Sequence, residues 1–194
     1  MQRVHQLDNN KELMVSAWPL TGGNIRSDMV ENEAILRRQQ CRYTLETINS
    51  AGVHEYSVIR SISNVVPWDQ HLQGLISVGR NAATKIISFT VTEGGYYLNS
   101  TMDALDTSNQ DIQNDLAQLQ SLVTNYKAQQ QQEDYTSRIK PVSIYGALAL
   151  ILFHRPIDCP ITLMSCDNVR HNGEHLITDA SKNNNRYLIL AMFY

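Results

Sequence analysis

Two polar turns carry the side chains best suited to chemistry. The first is Thr90-Val91-Thr92-Glu93-Gly94-Gly95-Tyr96; the second is Ser165-Cys166-Asp167-Asn168, followed closely by His171-Asn172-Gly173. Each follows a short apolar run that reads as a strand, and open parallel sheets bind ligands in the crevice beyond the carboxyl ends of their strands. Gly94-Gly95 would let a ligand approach the backbone closely. Glu93 would place a carboxylate in the crevice, where partial burial shifts a pKa toward a useful range. Asn168 offers an amide donor suited to an alcohol or carbonyl oxygen that gains negative charge during reaction. The plain alternative is that these residues only satisfy turn geometry, since polar glycine-containing turns follow most strands. Two other patterns are weaker. His171-Asn-Gly-Glu-His175 has the order of an inverted zinc-peptidase motif, but Gly173 and the preceding turn argue against the helix that zinc ligation needs, so no metal is expected. Cys166, at the end of an apolar strand, reads as packing rather than as a nucleophile.

The elements that would hold these turns follow from hydrophobic spacing. Lys85 to Val91 is β-branched and compact, and Ile161 to Cys166 is a second short apolar run; both predict buried strands. Between them, Asp111 to about Tyr126 places Ile112, Leu116, Leu119 and Val123 at helical intervals. Ser143 to Arg155 is a uniformly apolar helix stopped by Pro156. Helix-separated strands of this kind imply a parallel sheet. Earlier, Met14 to Leu20 predicts a strand running into Thr21-Gly22-Gly23-Asn24, and Asp28 to Gln40 a helix with Met29, Ile35 and Leu36 as apolar contacts. Cys41–Ile48 and Val53–Ile62 predict a hairpin around Asn49-Ser50-Ala51-Gly52, with Glu46, His54 and Arg60 outside. Asp69 would cap a helix Gln70–Val78. Tyr126 to Lys140, containing Gln129 to Gln132, has no period and predicts an exposed loop or insertion. The expected architecture is an α/β domain with a mainly parallel sheet and a small antiparallel element.

Composition narrows the function classes. The 194 residues are 42% hydrophobic and 18% charged with a formal net charge of -3, which is ordinary globular material. No Lys/Arg cluster exists, so nucleic acid and anionic membrane are not expected partners. Three scattered cysteines fit a reducing cytosol better than a disulfide framework. The amino terminus has no apolar core of a signal peptide. The longest apolar run, Ile144 to Phe153, is far short of the ~20 residues that span a bilayer.

The turns Thr90-Val-Thr-Glu-Gly-Gly-Tyr-Tyr97 and Met164-Ser-Cys-Asp-Asn168, with His171-Asn-Gly173, resemble signature turns of the mannitol dehydrogenase family, the polyol-specific long-chain dehydrogenases. Trp18, Gly22-Gly23-Asn24-Ile25-Arg26-Ser27-Asp28, Tyr43-Thr-Leu-Glu-Thr47, Arg60-Ser-Ile62 and Ile144-Tyr-Gly-Ala-Leu148 fit the same order, and within the family the pattern is most similar to the D-arabinitol-specific members. The resemblance covers roughly residues 2 to 176. It implies NAD as cofactor, a small-molecule polyol as substrate, and hydride transfer that converts D-arabinitol to D-xylulose. It also implies that Asn168 holds the reacting oxygen, that Glu93 lies in a proton path, and that Arg3, Asp28, Thr92 and Gly94 contact the cofactor. Asp28 would bind the adenosine ribose and disfavour a 2′-phosphate; equally, it could serve as a helix amino-terminal acid.

The same resemblance places a pyrophosphate-binding Gly-x-Gly-x-Phe turn before Arg3 and a catalytic lysine, in a helical domain, after His175. Neither has a counterpart in these 194 residues. The organisation this resemblance implies is an incomplete Rossmann-like, partial NAD-binding domain at 1–176, with an insertion at about 126–140, and a divergent tail at 177–194. Without its base, an alcohol dehydrogenase loses the ~10²–10⁴-fold of general acid–base catalysis. The competing expectation is therefore an inactive remnant that at most binds nucleotide or a partner, associating through an exposed sheet edge.

Overall fold

The computed structural model describes residues 20–101, 104–129 (backbone alone for 127–129) and 138–167. Arg3, most of the strand expected at Met14–Leu20, Asn168, the His171–His175 motif and the tail at 177–194 lie outside those residues. The chain divides into two compact units, residues 1–68 and 69–194.

In the first unit, strand β1 (Leu20–Gly22) pairs in parallel with β4 (Ile62–Val65). The strand therefore includes Thr21-Gly22, which the sequence placed in the turn after it. A 3₁₀ turn at Ser27–Met29 leads into helix α1 (Val30–Arg38). Met29 and Ile35, expected as core contacts, are 43% and 44% exposed, whereas Glu33 is buried. The reason is a hydrogen bond: Glu33 Oε2 accepts the Trp68 backbone N–H at 2.9 Å. This directs the Glu33 face of the helix inward, next to β4.

Strands β2 (Tyr43–Ile48) and β3 (His54–Ile59) form the expected antiparallel hairpin, with Glu46 opposite Tyr56. Its turn is set by Asn49, whose side-chain oxygen accepts from the amides of Ala51 and Val53 at 2.9 and 3.0 Å. Gly52 takes φ +75° there, a left-handed conformation that costs glycine little. Glu46, His54 and Arg60 are exposed, as expected. Glu46 is bonded to His54 Nδ1 at 2.6 Å and to the Tyr56 hydroxyl at 2.7 Å. The His54 bond first and the Tyr56 bond second hold its carboxyl below the usual range.

In the second unit Asp69 is not the cap expected of it: it sits in the turn before the helix, accepting the amides of His71 and Gln73 at 2.9 and 3.3 Å, and the N-cap position falls to Leu72. Leu72 is left-handed, so helix α2 begins later than expected and spans Gln73–Arg80. Strand β5 (Ile86–Phe89) follows, then helix α3 (Gln110–Gln129), helix α4 (Ile144–Phe153) and strand β6 (Thr162–Ser165). β5 and β6 are parallel and in register from Ile86↔Thr162 to Phe89↔Ser165. They are not the buried strands that their composition suggests. Exposed and half-buried residues alternate along both, with Ile86 41% and Met164 42% exposed. Such alternation means that one face is covered and the other open.

Helix α4 is the centre of this unit, buried from Ile144 through Ile151. α2 packs on it where Gly79 meets Ile151, leaving no space for a Cβ. α3 contributes Ile112, Leu119 and Leu122, together with the carboxylate of Asp115, which is 1% exposed. Leu116 and Val123, expected in the core, are half-buried. Asp115 takes the inner position because it accepts three hydrogen bonds, from the amides of Val142 and Ser143 and from the Ser143 hydroxyl, at 2.6–2.9 Å. Ser143 in turn caps α4, its Oγ accepting the Gly146 amide at 3.0 Å. Burial outweighs these donors and pushes the Asp115 pKa up.

The segment expected as a loop at 126–140 is structured at both ends. α3 continues through Gln129, with the Tyr126 ring edge-on to Phe153 at 5.3 Å. At the far end Ile139 is buried, and the Lys140 amide donates to Gln118 at 2.8 Å. Among the described residues no helix is long and apolar enough to cross a membrane.

Asp115→Ala leaves the buried amide and hydroxyl of Ser143 and the part-buried amide of Val142 without their acceptor. The variant is expected to lose about 3 kcal/mol of stability, seen as a lower midpoint in urea unfolding.

Candidate functional site

The two turns singled out by sequence meet at the carboxyl ends of β5 and β6. After Phe89 the chain passes through Thr90, Val91 and Thr92 into a 3₁₀ turn, Glu93–Tyr96. After Ser165 it continues through Cys166, whose amide donates to the Phe89 carbonyl at 3.0 Å, to Asp167. Asp167 joins the turns. Its Oδ1 accepts the Val91 amide at 2.8 Å and its Oδ2 accepts the Tyr96 hydroxyl at 2.6 Å. The Ser165 hydroxyl closes the group, 2.5 Å from the Tyr96 oxygen and 3.1 Å from Asp167 Oδ2.

Tyr96 is fully buried. Burial first, and the bond to Asp167 second, push its phenol pKa up, so it stays a donor at neutral pH. The Tyr96 carbonyl accepts the hydroxyl of Tyr145 on α4 at 3.0 Å, which fixes the turn to the helical layer. Burial raises the Tyr145 phenol beyond the ordinary tyrosine range as well. Tyr97 is left-handed (φ 48°), and its hydroxyl donates to Asp111 at the start of α3 at 3.0 Å.

On this base Thr92, Glu93 and Gly94 are exposed side by side. Glu93 thus faces solvent instead of the partly buried crevice expected for it. The two glycines differ. A Cβ on Gly95 would lie 2.9 Å from the Cβ of Val91, so glycine is required there by packing, whereas a Cβ on Gly94 would meet nothing within 4 Å. Only Gly94 offers open backbone. Asp28 belongs to the first unit, exposed in its 3₁₀ turn with Arg26 Nε 3.6 Å away. Thr92, Glu93 and Gly94 are therefore brought together. Asp28 lies in the other unit, and Arg3 and Asn168 lie outside the described residues. Cys166, expected to pack, is exposed.

Asp167, Tyr96, Ser165 and Tyr145 received no role from sequence. An aspartate directly after a strand is a common turn residue, and nothing local marks one that binds an amide 76 positions earlier.

No family model matches the chain. D-arabinitol 4-dehydrogenase of Klebsiella pneumoniae is 45% identical over 177 residues, 89% of this chain and 34% of that protein. D-arabinitol 4-dehydrogenase of Ralstonia nicotianae is 43% identical over 158 residues, 80% of this chain and 29% of that protein. The chain belongs to the mannitol dehydrogenase family. It spans about a third of the length of the curated relatives it matches. The solved structure of Pseudomonas fluorescens mannitol 2-dehydrogenase, a ternary complex with NAD and D-mannitol, superposes with a TM-score of 0.69 and 26% identity, covering 97% of this chain and 32% of that one. The likeness confirms the Rossmann-like α/β fold of this part of a mannitol dehydrogenase.

The contrast between the two glycines is directly testable. Gly95→Ala is expected to cost about 1–3 kcal/mol through overpacking against Val91, while Gly94→Ala stays within about 0.5 kcal/mol of the parent. Urea unfolding of both variants measures the difference; equal losses would contradict it.

Proposed function

We propose that this chain is the nucleotide-binding part of an NAD-dependent polyol dehydrogenase acting on D-arabinitol in the cytosol. The 45% identity to D-arabinitol 4-dehydrogenase carries the proposal, and the open backbone beside Gly94 supports it. NAD, when bound, would supply the hydride acceptor for the secondary alcohol carbon of D-arabinitol, and the hydroxyl proton would leave to solvent, giving D-xylulose.

The residues of this chain have separable roles in that reaction. Thr92 and Gly94 would contact the cofactor, since a hydroxyl and an unobstructed backbone stand together at the sheet end. Glu93, solvent-exposed, suits a proton path to bulk water better than a buried acid would. Asn168 would donate to the alcohol oxygen as negative charge develops on it. Asp28 would accept a hydrogen bond from the adenosine ribose, with Arg26 screening its charge, and Arg3 would contact the cofactor.

Two measurements on the purified chain test this. NADH titration followed by fluorescence is expected to show saturable binding, and Gly94→Val is expected to weaken it about tenfold without loss of stability. No binding at about 1 mM NADH would overturn the proposal. NADH formation with D-arabinitol, D-mannitol and D-sorbitol then reports activity and substrate. Turnover led by D-arabinitol is the expected order for the whole enzyme. Binding without turnover would mark the 194 residues as a nucleotide-binding module.

A further inference from the structure

We infer that Asp167 and Tyr96 are positioning residues: together they lock the turn after β5 to the turn after β6 and so set the surface met by the nicotinamide end of the cofactor. The inference rests on the cofactor role proposed above, and it concerns residues that have no role there.

Four observations carry it. Asp167 uses both carboxylate oxygens across the gap between strands, one on the Val91 amide and one on the Tyr96 hydroxyl. Val91 and Tyr96 bracket Thr92, Glu93 and Gly94, so both ends of the exposed segment are held from the neighbouring strand. The holding group is itself held, because Tyr96 is fully buried and tied through its carbonyl to Tyr145 on α4. Finally, charge-assisted bonds of 2.6–2.8 Å are the strong class of hydrogen bond. A support of this kind limits how far a site's backbone can drift, and a displacement of about 1 Å is enough to lose much of a site's effect. Loss of the clamp is therefore expected to act on the part of the cofactor that meets this turn and to spare the rest.

The test uses Tyr96→Phe, Ser165→Ala and Asp167→Asn in the full chain, with two readouts. The first is amide hydrogen exchange at Val91. Tyr96→Phe touches no atom bonded to that amide, yet protection is expected to fall about tenfold because Asp167 loses the shorter of the two hydroxyl bonds to its Oδ2. Unchanged Val91 protection in Tyr96→Phe would overturn the clamp. The second compares NADH with ADP-ribose, which lacks the nicotinamide. Asp167→Asn and Tyr96→Phe are expected to raise the dissociation constant for NADH about tenfold and to leave ADP-ribose within about twofold. Equal weakening of both ligands would show general loss of structure and overturn the positioning role. Ser165→Ala, the mildest change, is expected to move both readouts in the same direction by a smaller factor. If the parent chain binds neither ligand, the proposed function fails, and Val91 exchange still tests the clamp by itself.

Discussion

A carboxylate inserted between two parallel strand ends holds the exposed turn of the second unit in place. Parallel neighbours cannot be joined by a tight turn; the chain must leave the sheet and return through a crossover. Here the crossover runs from Phe89 through α3 and α4 to Thr162. Backbone pairing ends at Ser165. Beyond that point, Asp167 continues the attachment with side-chain bonds in place of ladder bonds. The exposed trio Thr92, Glu93 and Gly94 keeps its place because of what happens on the other strand.

The helical layer applies the same strategy at two further seams. Asp115 binds the residues that open α4, and its neighbour across the seam, Gly146, leaves no room for a Cβ. Arg155, just past α4, donates to five backbone carbonyls: Gly79, Asn81, Thr84, Cys159 and Pro160. A guanidinium suits this because its donors form a fixed planar fork. Apolar burial supplies the bulk of the packing, and these polar contacts select one arrangement of it.

The degree to which the fold was legible in the sequence follows from the range of each interaction. Hydrophobic periodicity is local, so α3, α4, β5, β6 and the hairpin are found within a few residues of their observed ends. The Asn49-Ser-Ala-Gly52 turn is legible for the same reason. Inward-facing polar residues are not. Glu33 displaces Met29 and Ile35 from the core because an amide 35 positions away needs its oxygen, and Asp115 does the same on α3. The candidate site divides along the same line. Its exposed residues belong to recognisable turns, but their support, Asp167 with Tyr96, Ser165 and Tyr145, exists only once distant segments are adjacent. The burial expected for Glu93 and for the two strands fails for a related reason: periodicity shows which residues share a face, not whether anything covers it.

The Arg155 seam has a consequence for how this sequence can vary. All five of its acceptors are main-chain oxygens, which every amino acid carries. Exchange of the side chains at Asn81, Thr84, Cys159 and Pro160 therefore removes no acceptor from the arginine, although Asn81 and Thr84 also shape their own loop, one accepting the Ala83 amide at 2.9 Å and the other donating to the Val78 carbonyl at 2.7 Å. Gly79 is held by its contact with Ile151 and not by the arginine. Position 155 has no such latitude, since lysine supplies one ammonium where five separately aimed carbonyls wait. Evolutionary tolerance is thus uneven across a single joint, with the whole burden of specificity carried by its donor.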